Sequence, residues 1–385
     1  MSRLGRALAT AGLLISFCTF AHAQQEHYTT EQSLSERIGI IEKKQDLFHA
    51  YLSTHMSGDA LFTGQSFEGA HFSGRQFRID VLGNVNDWLS FRWRQQLNRS
   101  NAGIDNIDNL PSSIDVAGIG VQAGDQWSFF FGKQCVAYGG IEFDLNPIEV
   151  YEYSDMTGNT ISFNTGVDIA YQMTPRQQFK LQVVNARNTS FEEAYSGLTG
   201  VSGAKVPWLY TLNWNGTLAP FWTTRWSYSF FHQGKDENRS YNTHYLALGN
   251  FFEFGSVSGY FDFMYSNEGL NSKPLIPNTH NAEYRSLVLK IDYRLTSKWN
   301  LFAKGMYETA GASAPDQGNR SQFFRYDTLR TSYGYLCGVE YYPLEDSGLH
   351  FFLTYIGRST GDKGIDTRHY TNRISAGFIY QIHLL

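Results

Sequence analysis

The chain is short of cysteine, of long apolar runs and of positive charge. Only Cys18, Cys135 and Cys337 occur in 385 residues, too few for a disulfide framework. Past the N-terminal leader no stretch reaches 18 consecutive apolar residues, so any membrane crossing must be made by strands rather than helices. A formal charge of −5 argues against a broad nucleic-acid-binding surface. The eleven histidines are dispersed, and H-E-x-x-H, G-x-S-x-G and G-x-x-x-x-G-K-[ST] are all missing. The sequence therefore offers no catalytic, metal or cofactor constellation. His232 and His244, near Asp236, flank one loop and are the only candidates for a dyad.

What is present is aromatic and alternating. Aromatic residues make up 16%, with 24 Tyr and 29 Phe. Residues 1–23 combine a basic start (MSRLGR), an apolar run and Ala21-His22-Ala23, which predicts a cleaved secretory signal peptide. Losing Arg3 and Arg6 with it makes the mature chain more acidic. Residues 24–57 carry Leu34, Ile38, Ile41, Gln45, Phe48, Leu52 and His55 at heptad spacing, which predicts a short periplasmic helix. Such a helix either ties protomers together or packs on its own domain.

From about residue 58 strand follows strand. Short turns near 84–87, 124–125, 174–176, 218–220, 254–256, 295–298 and 343–348 alternate with longer connections near 99–113, 134–159, 189–206, 233–240, 267–280, 309–327 and 359–369. That alternation predicts a transmembrane antiparallel β-barrel over 58–385, with short periplasmic turns and longer exterior loops. Taking 59–67 as the first strand and 370–384 as the last gives sixteen, which puts both termini in the periplasm. Trp88, Trp127, Trp222 and Trp299 each follow a short turn, as an interfacial aromatic girdle would.

The stretch NDWLSFRWRQQ (86–96) shows how the faces divide. Leu89, Phe91 and Trp93 alternate with Arg92 and Arg94, and a strand sends the two sets to opposite sides. Lipid on one side and a wet lumen on the other accommodate both. By parity the lumen takes basic Arg78, Arg92, Arg94, Lys180, Arg225, Lys290, Arg294, Lys304, Arg330 and Arg373. It also takes acidic Asp80, Asp168, Asp262, Asp292, Glu308 and Glu340. The wall is thus basic inside an acidic protein. With the hairpin centred on Asn86, Arg78 falls opposite Arg94 and Asp80 opposite Arg92, and like charges placed so need a partner. The 134–159 loop holds Glu142, Asp144, Glu149, Glu152 and Asp155 and no Lys or Arg. It is expected to fold inward and set an acidic edge against the arginines, making a constriction with a transverse field.

The order of leader, heptad segment, GRQFRIDVLGNVNDWLSFRWRQQLN, QAGDQWSFFFGKQ and YGGIEFDLNPIEVYEY resembles the porin O/P family of outer-membrane channels, in its Bacteroidota form. The resemblance implies a sixteen-stranded barrel, a trimer and a pore narrowed by the third long loop. It also implies phosphate or similar anions as solutes, with Arg78, Arg92 and Arg94 standing where the family's arginine ladder lies. The expected function is passive diffusion of small hydrophilic solutes, anionic by preference, across the outer membrane of a Gram-negative bacterium. The expected partners are lipid, solute and two further copies of the chain, with no cofactor and no nucleic acid. A non-conducting structural or adhesive barrel is the alternative, and pore conductance separates the two.

Overall fold

The computed structural model describes residues 48–99, 107–195, 198, 200–277, 279–313, 326–344, 347–365 and 367–384. The predicted signal peptide and residues 24–47 of the predicted heptad helix lie outside the described residues. Seventeen strands are present among those described: β1 Phe48–Thr63, β2 Ser66–Asn84, β3 Leu89–Gln96, β4 Ile114–Ala123, β5 Trp127–Cys135, β6 Phe163–Thr174, β7 Gln177–Asn185, β8 Ser202–Gly203 and β9 Trp208–Ala219. The series continues with β10 Trp222–Lys235, β11 Ser240–Phe254, β12 Val257–Leu270, β13 His280–Thr296, β14 Trp299–Ser313, β15 Tyr326–Tyr341, β16 His350–Asp362 and β17 His369–His383. β8 is a two-residue piece that pairs with the end of β10. The other sixteen form a closed antiparallel meander, sealed where β1 pairs with β17 from Tyr51↔His383 to Thr63↔Thr371. Closure leaves no unpaired sheet edge, which is what allows strands to sit in hydrocarbon.

The two faces separate as the alternation requires. On β13, Leu287, Leu289, Ile291 and Tyr293 are exposed outward, whereas Ser286 and Val288 are buried inward. Trp88, Trp127 and Trp299 are likewise exposed beside the short turns. Turning one arginine of β3 to mid-membrane lipid would cost about 2–4 kcal/mol, so Arg92 and Arg94 fix the phase of that strand.

Two readings at the N-terminal side are corrected. Residues 48–57, counted into the heptad helix, belong to β1, where Ser53, His55, Ser57 and Asp59 alternate inward and are buried. The segment 59–67 is not one strand, because a tight turn interrupts it at Gly64, whose φ of 59° suits glycine. The rule of long exterior loops also has exceptions. The connections 64–65, 236–239 and 363–368 are short, because polar residues beyond the apolar belt go on pairing as strands. At 236–239 the Asp236 side chain accepts from the Asn238 and Arg239 amides at 2.8 and 2.7 Å and closes the turn.

Candidate pore constriction

Every lumen charge named from the sequence lies on the inward face. Arg78, Arg92, Arg94, Lys180, Arg225, Lys304, Asp80, Asp168, Asp262, Glu308 and Glu340 are buried there, and Lys290, Asp292, Arg294, Arg330 and Arg373 are partly buried at inward positions. The hairpin register differs from the expected one. Asn84 pairs with Ser90, so the turn centres on Asp87, Asp80 faces Arg94 and Arg78 faces Gln96. The shift arises because the Asn86 carboxamide accepts from the Trp88 and Leu89 amides at 3.0 and 2.8 Å, adding two residues to the turn. Inward and outward faces are unaffected, and Arg92 still reaches Asp80, now along the diagonal.

Arg92 makes a two-pronged contact with Asp80, Nε to Oδ1 at 3.0 Å and Nη2 to Oδ2 at 2.6 Å. Arg78 and Arg94 converge on one oxygen, Oδ2 of Asp115 on β4, at 3.3 and 3.4 Å. Asp115 had no place in the sequence reading, since β4 has few polar residues to phase it. The Nε atoms are the ones turned to Asp115, and among the described residues Nη1 of Arg78 and Nη2 of Arg94 have no hydrogen-bond partner. The guanidinium of Arg94 also lies over the Phe163 ring, 5.1 Å from its centroid. Around the wall, Lys290 pairs with Asp292 at 3.0 Å, Arg294 stacks over Tyr342 at 4.5 Å, and Lys180 acts electrostatically on Asp168.

The 134–159 loop folds into the barrel, but its charged contacts fall on strands other than β2 and β3. Asp262 on β12 accepts from the amides of Ile141 and Glu142 at 2.8 and 2.7 Å. The Glu142 carboxylate takes the Lys304 ammonium of β14, the Ser154 hydroxyl and the Thr157 hydroxyl. Burial alone would push this carboxyl up; Lys304 and the two hydroxyls hold it below the ordinary range. Asp144 pairs with Arg225 at 3.4 Å, and Glu149 lies partly buried in the turn Pro147–Glu149. Glu152 meets Arg373 at 3.0 Å and Arg358 at 3.6 Å, and Arg358 also contacts Asp155 and Glu308. The acidic edge expected against Arg78, Arg92 and Arg94 is therefore spent on β10, β14, β16 and β17.

Local chemistry explains the path. Gly139 and Gly140 have φ of 72° and 82°, and a Cβ on Gly139 would stand 2.8 Å from Ser227 Oγ. A Cβ on Gly249 of β11 would reach 2.7 Å from the Gly140 Cα. Three glycines thus let the loop backbone lie on the wall. Apolar packing completes the docking: Tyr138, Ile141, Phe143 and Met156 join Tyr245, Tyr260, Met264 and Met306 in one core inside the barrel. Ile148 and Tyr151 join Phe302, Phe352 and Ile379 in a second. Sequence parity gave no warning of apolar cores in the lumen, although Phe302, Met306, Phe352 and Ile356 at inward positions carried the signal. It also passed over Asp59 and Arg75, which pair at 2.6 Å. The side left open carries a cavity of about 530 Å³ between residues 150–159 of the loop, Ser73–Gln76 of β2 and Arg358.

The profile of the family described as phosphate-selective porin O and P matches residues 56–382. The chain belongs to that family. No curated protein matches the sequence. Among solved structures, the outer-membrane channel DcaP of Acinetobacter baumannii is similar at 12% identity, covering 89% of this chain and 99% of that one, with a TM-score of 0.62. An anion-selective porin from Comamonas acidovorans is similar at 8% identity, 87% and 99% coverage and TM-score 0.55. OmpT of Vibrio cholerae is similar at 12% identity, 88% and 99% coverage and TM-score 0.55. These likenesses establish the barrel fold. This porin is a solute channel of the bacterial outer membrane, with the fold and family of a passive pore.

Proposed function

We propose that the pore prefers small anions, and that Arg78, Arg92 and Arg94 supply the preference. The supporting observation is the sharing of one Asp115 oxygen by two arginines that each keep a terminal nitrogen without a hydrogen bond. A guanidinium fork matches a carboxylate or phosphate in two-pronged geometry. Glu142, Asp144, Glu152 and Asp155 of the loop are occupied by Lys304, Arg225, Arg358 and Arg373 and so do little to cancel this cluster. Lys180, Arg225, Lys290, Arg294 and Lys304 line the remaining wall, and Glu142, Asp144 and Glu149 fix the loop that narrows the passage. Liposome swelling tests the reading with three sugars that differ in charge. Glucose 6-phosphate should enter faster than glucose, and glucosamine slowest; the reverse order for the charged pair would reject an anion preference.

We further infer a homotrimer with both termini in the periplasm. An even strand count returns the chain to its starting side, and a trimer form is named for the neighbouring OmpT structure, at TM-score 0.51. Amine-directed cross-linking in native membranes should stop at three copies; a ladder ending at one would contradict it.

A further inference from the structure

Two histidines meet across the seam that closes the barrel, far from the docked loop. His49 Nδ1 lies 3.3 Å from His383 Nε2, although the residues are 334 positions apart. Both sit at the short-turn end, at odd positions of β1 and β17. Those positions face the lumen, as buried Ser53, His55 and Ser57 on one strand and Ser375 and Ile379 on the other show. Tyr51, paired with His383 in the ladder, stacks on its ring with centroids 4.9 Å apart and fixes its orientation. The seam is tight here, since the Leu384 amide donates to Ala50 O at 2.7 Å.

Two neutral imidazoles at this distance share one proton, one ring donating to the other. The same spacing has another use. Zinc–nitrogen bonds of roughly 2.0–2.1 Å at a tetrahedral angle place two ligand nitrogens about 3.3–3.4 Å apart. The nitrogens thus already stand at the bite distance of a tetrahedral ion, and binding requires loss of the shared proton and a tilt of the rings that turns both lone pairs onto the ion. We propose that His49 and His383 bind a divalent transition ion, with Zn²⁺ as the type case, across the β1–β17 seam. Imidazole pairs suit Zn²⁺, Ni²⁺ and Cu²⁺ and not Mg²⁺ or Ca²⁺. No group of three or more His, Cys, Asp or Glu among the described residues could hold a metal, so the described residues supply two ligands here and water can complete the shell. Such a site is reversible. Its ion joins the first strand to the last and adds positive charge at one mouth of the lumen.

The test titrates the full-length protein in detergent with Zn²⁺ alone, by calorimetry and by heat unfolding, beside His49→Gln and His383→Gln. Wild type should bind one ion per chain and gain heat resistance, and each variant should bind more than about tenfold more weakly, as losing half of the protein's ligands requires. Equal affinity in the variants, or no binding by wild type, would overturn the proposal. Heat-modifiable gel migration confirms that each variant has closed its barrel. For a variant that has not, X-ray absorption at the zinc edge of the wild type decides: two imidazole shells support the site and their absence rejects it.

Discussion

Asp115→Asn should raise the anion-to-cation permeability ratio by about tenfold. The substitution keeps shape while removing the one carboxylate that Arg78 and Arg94 share at 3.3 and 3.4 Å. A unit charge at about 4 Å acts with about 1 kcal/mol in water and about 4 kcal/mol at an effective dielectric of 20. A lumen that is partly wet falls toward the lower end, and about 1.4 kcal/mol is one decade. Reversal potentials in a salt gradient report the ratio directly. An unchanged ratio in a correctly folded variant would mean that permeant ions do not pass the arginine cluster.

The second large effect concerns the loop. Lys304→Met leaves the Glu142 carboxylate buried beside only Ser154 and Thr157, and breaking one side of a buried ion pair costs about 3–5 kcal/mol. The expected result is a released loop, with single-channel conductance well above wild type and cleavage by a glutamate-specific protease at Glu142 or Glu149. Glu142→Gln/Lys304→Met together should restore much of the protection, because no stranded charge remains. The same latch has a defined acid limit. The Glu142 carboxyl is held below its ordinary 4.5, so the latch is fully present above that value and weakens only as pH falls through the depressed one. Conductance of wild type that rises already near pH 6, or a single variant whose loop stays protected, would contradict this latch.

How much of this was legible in the sequence depends on which property is asked for. Which face each charge occupies needed only parity, and Arg92 and Arg94 between Phe91, Trp93 and Gln95 state it plainly. Which residue stands opposite which needed the turn to within one residue. The Asn86 side chain lengthened that turn and moved Asp80 from opposite Arg92 to opposite Arg94. The strand 48–63 was misread in part because its inward positions are Ser53, His55, Ser57 and Asp59. Its outward ones include Thr54, Gly58 and Ala60, so a period of two is faint. Phe48, Leu52 and His55 then extended a heptad pattern by coincidence. The docking of the loop was legible in its acids and glycines but not in its direction. Apolar residues on the inward faces of β12, β14 and β16 look, one strand at a time, like more lipid-facing surface. Only closing the barrel shows that Met264, Met306 and Phe352 point at the loop.

The central claim is a loop-narrowed pore whose selectivity comes from the β2–β3 arginines. The measurement that tests it most directly is the reversal potential of the purified protein in a planar bilayer across a potassium chloride gradient. It should be made on wild type and on Arg78→Ala/Arg94→Ala. The account predicts stable open conductance with anion preference in wild type, and a marked loss of that preference in the double variant. Cation preference in wild type, or the same potential in both proteins, would contradict it.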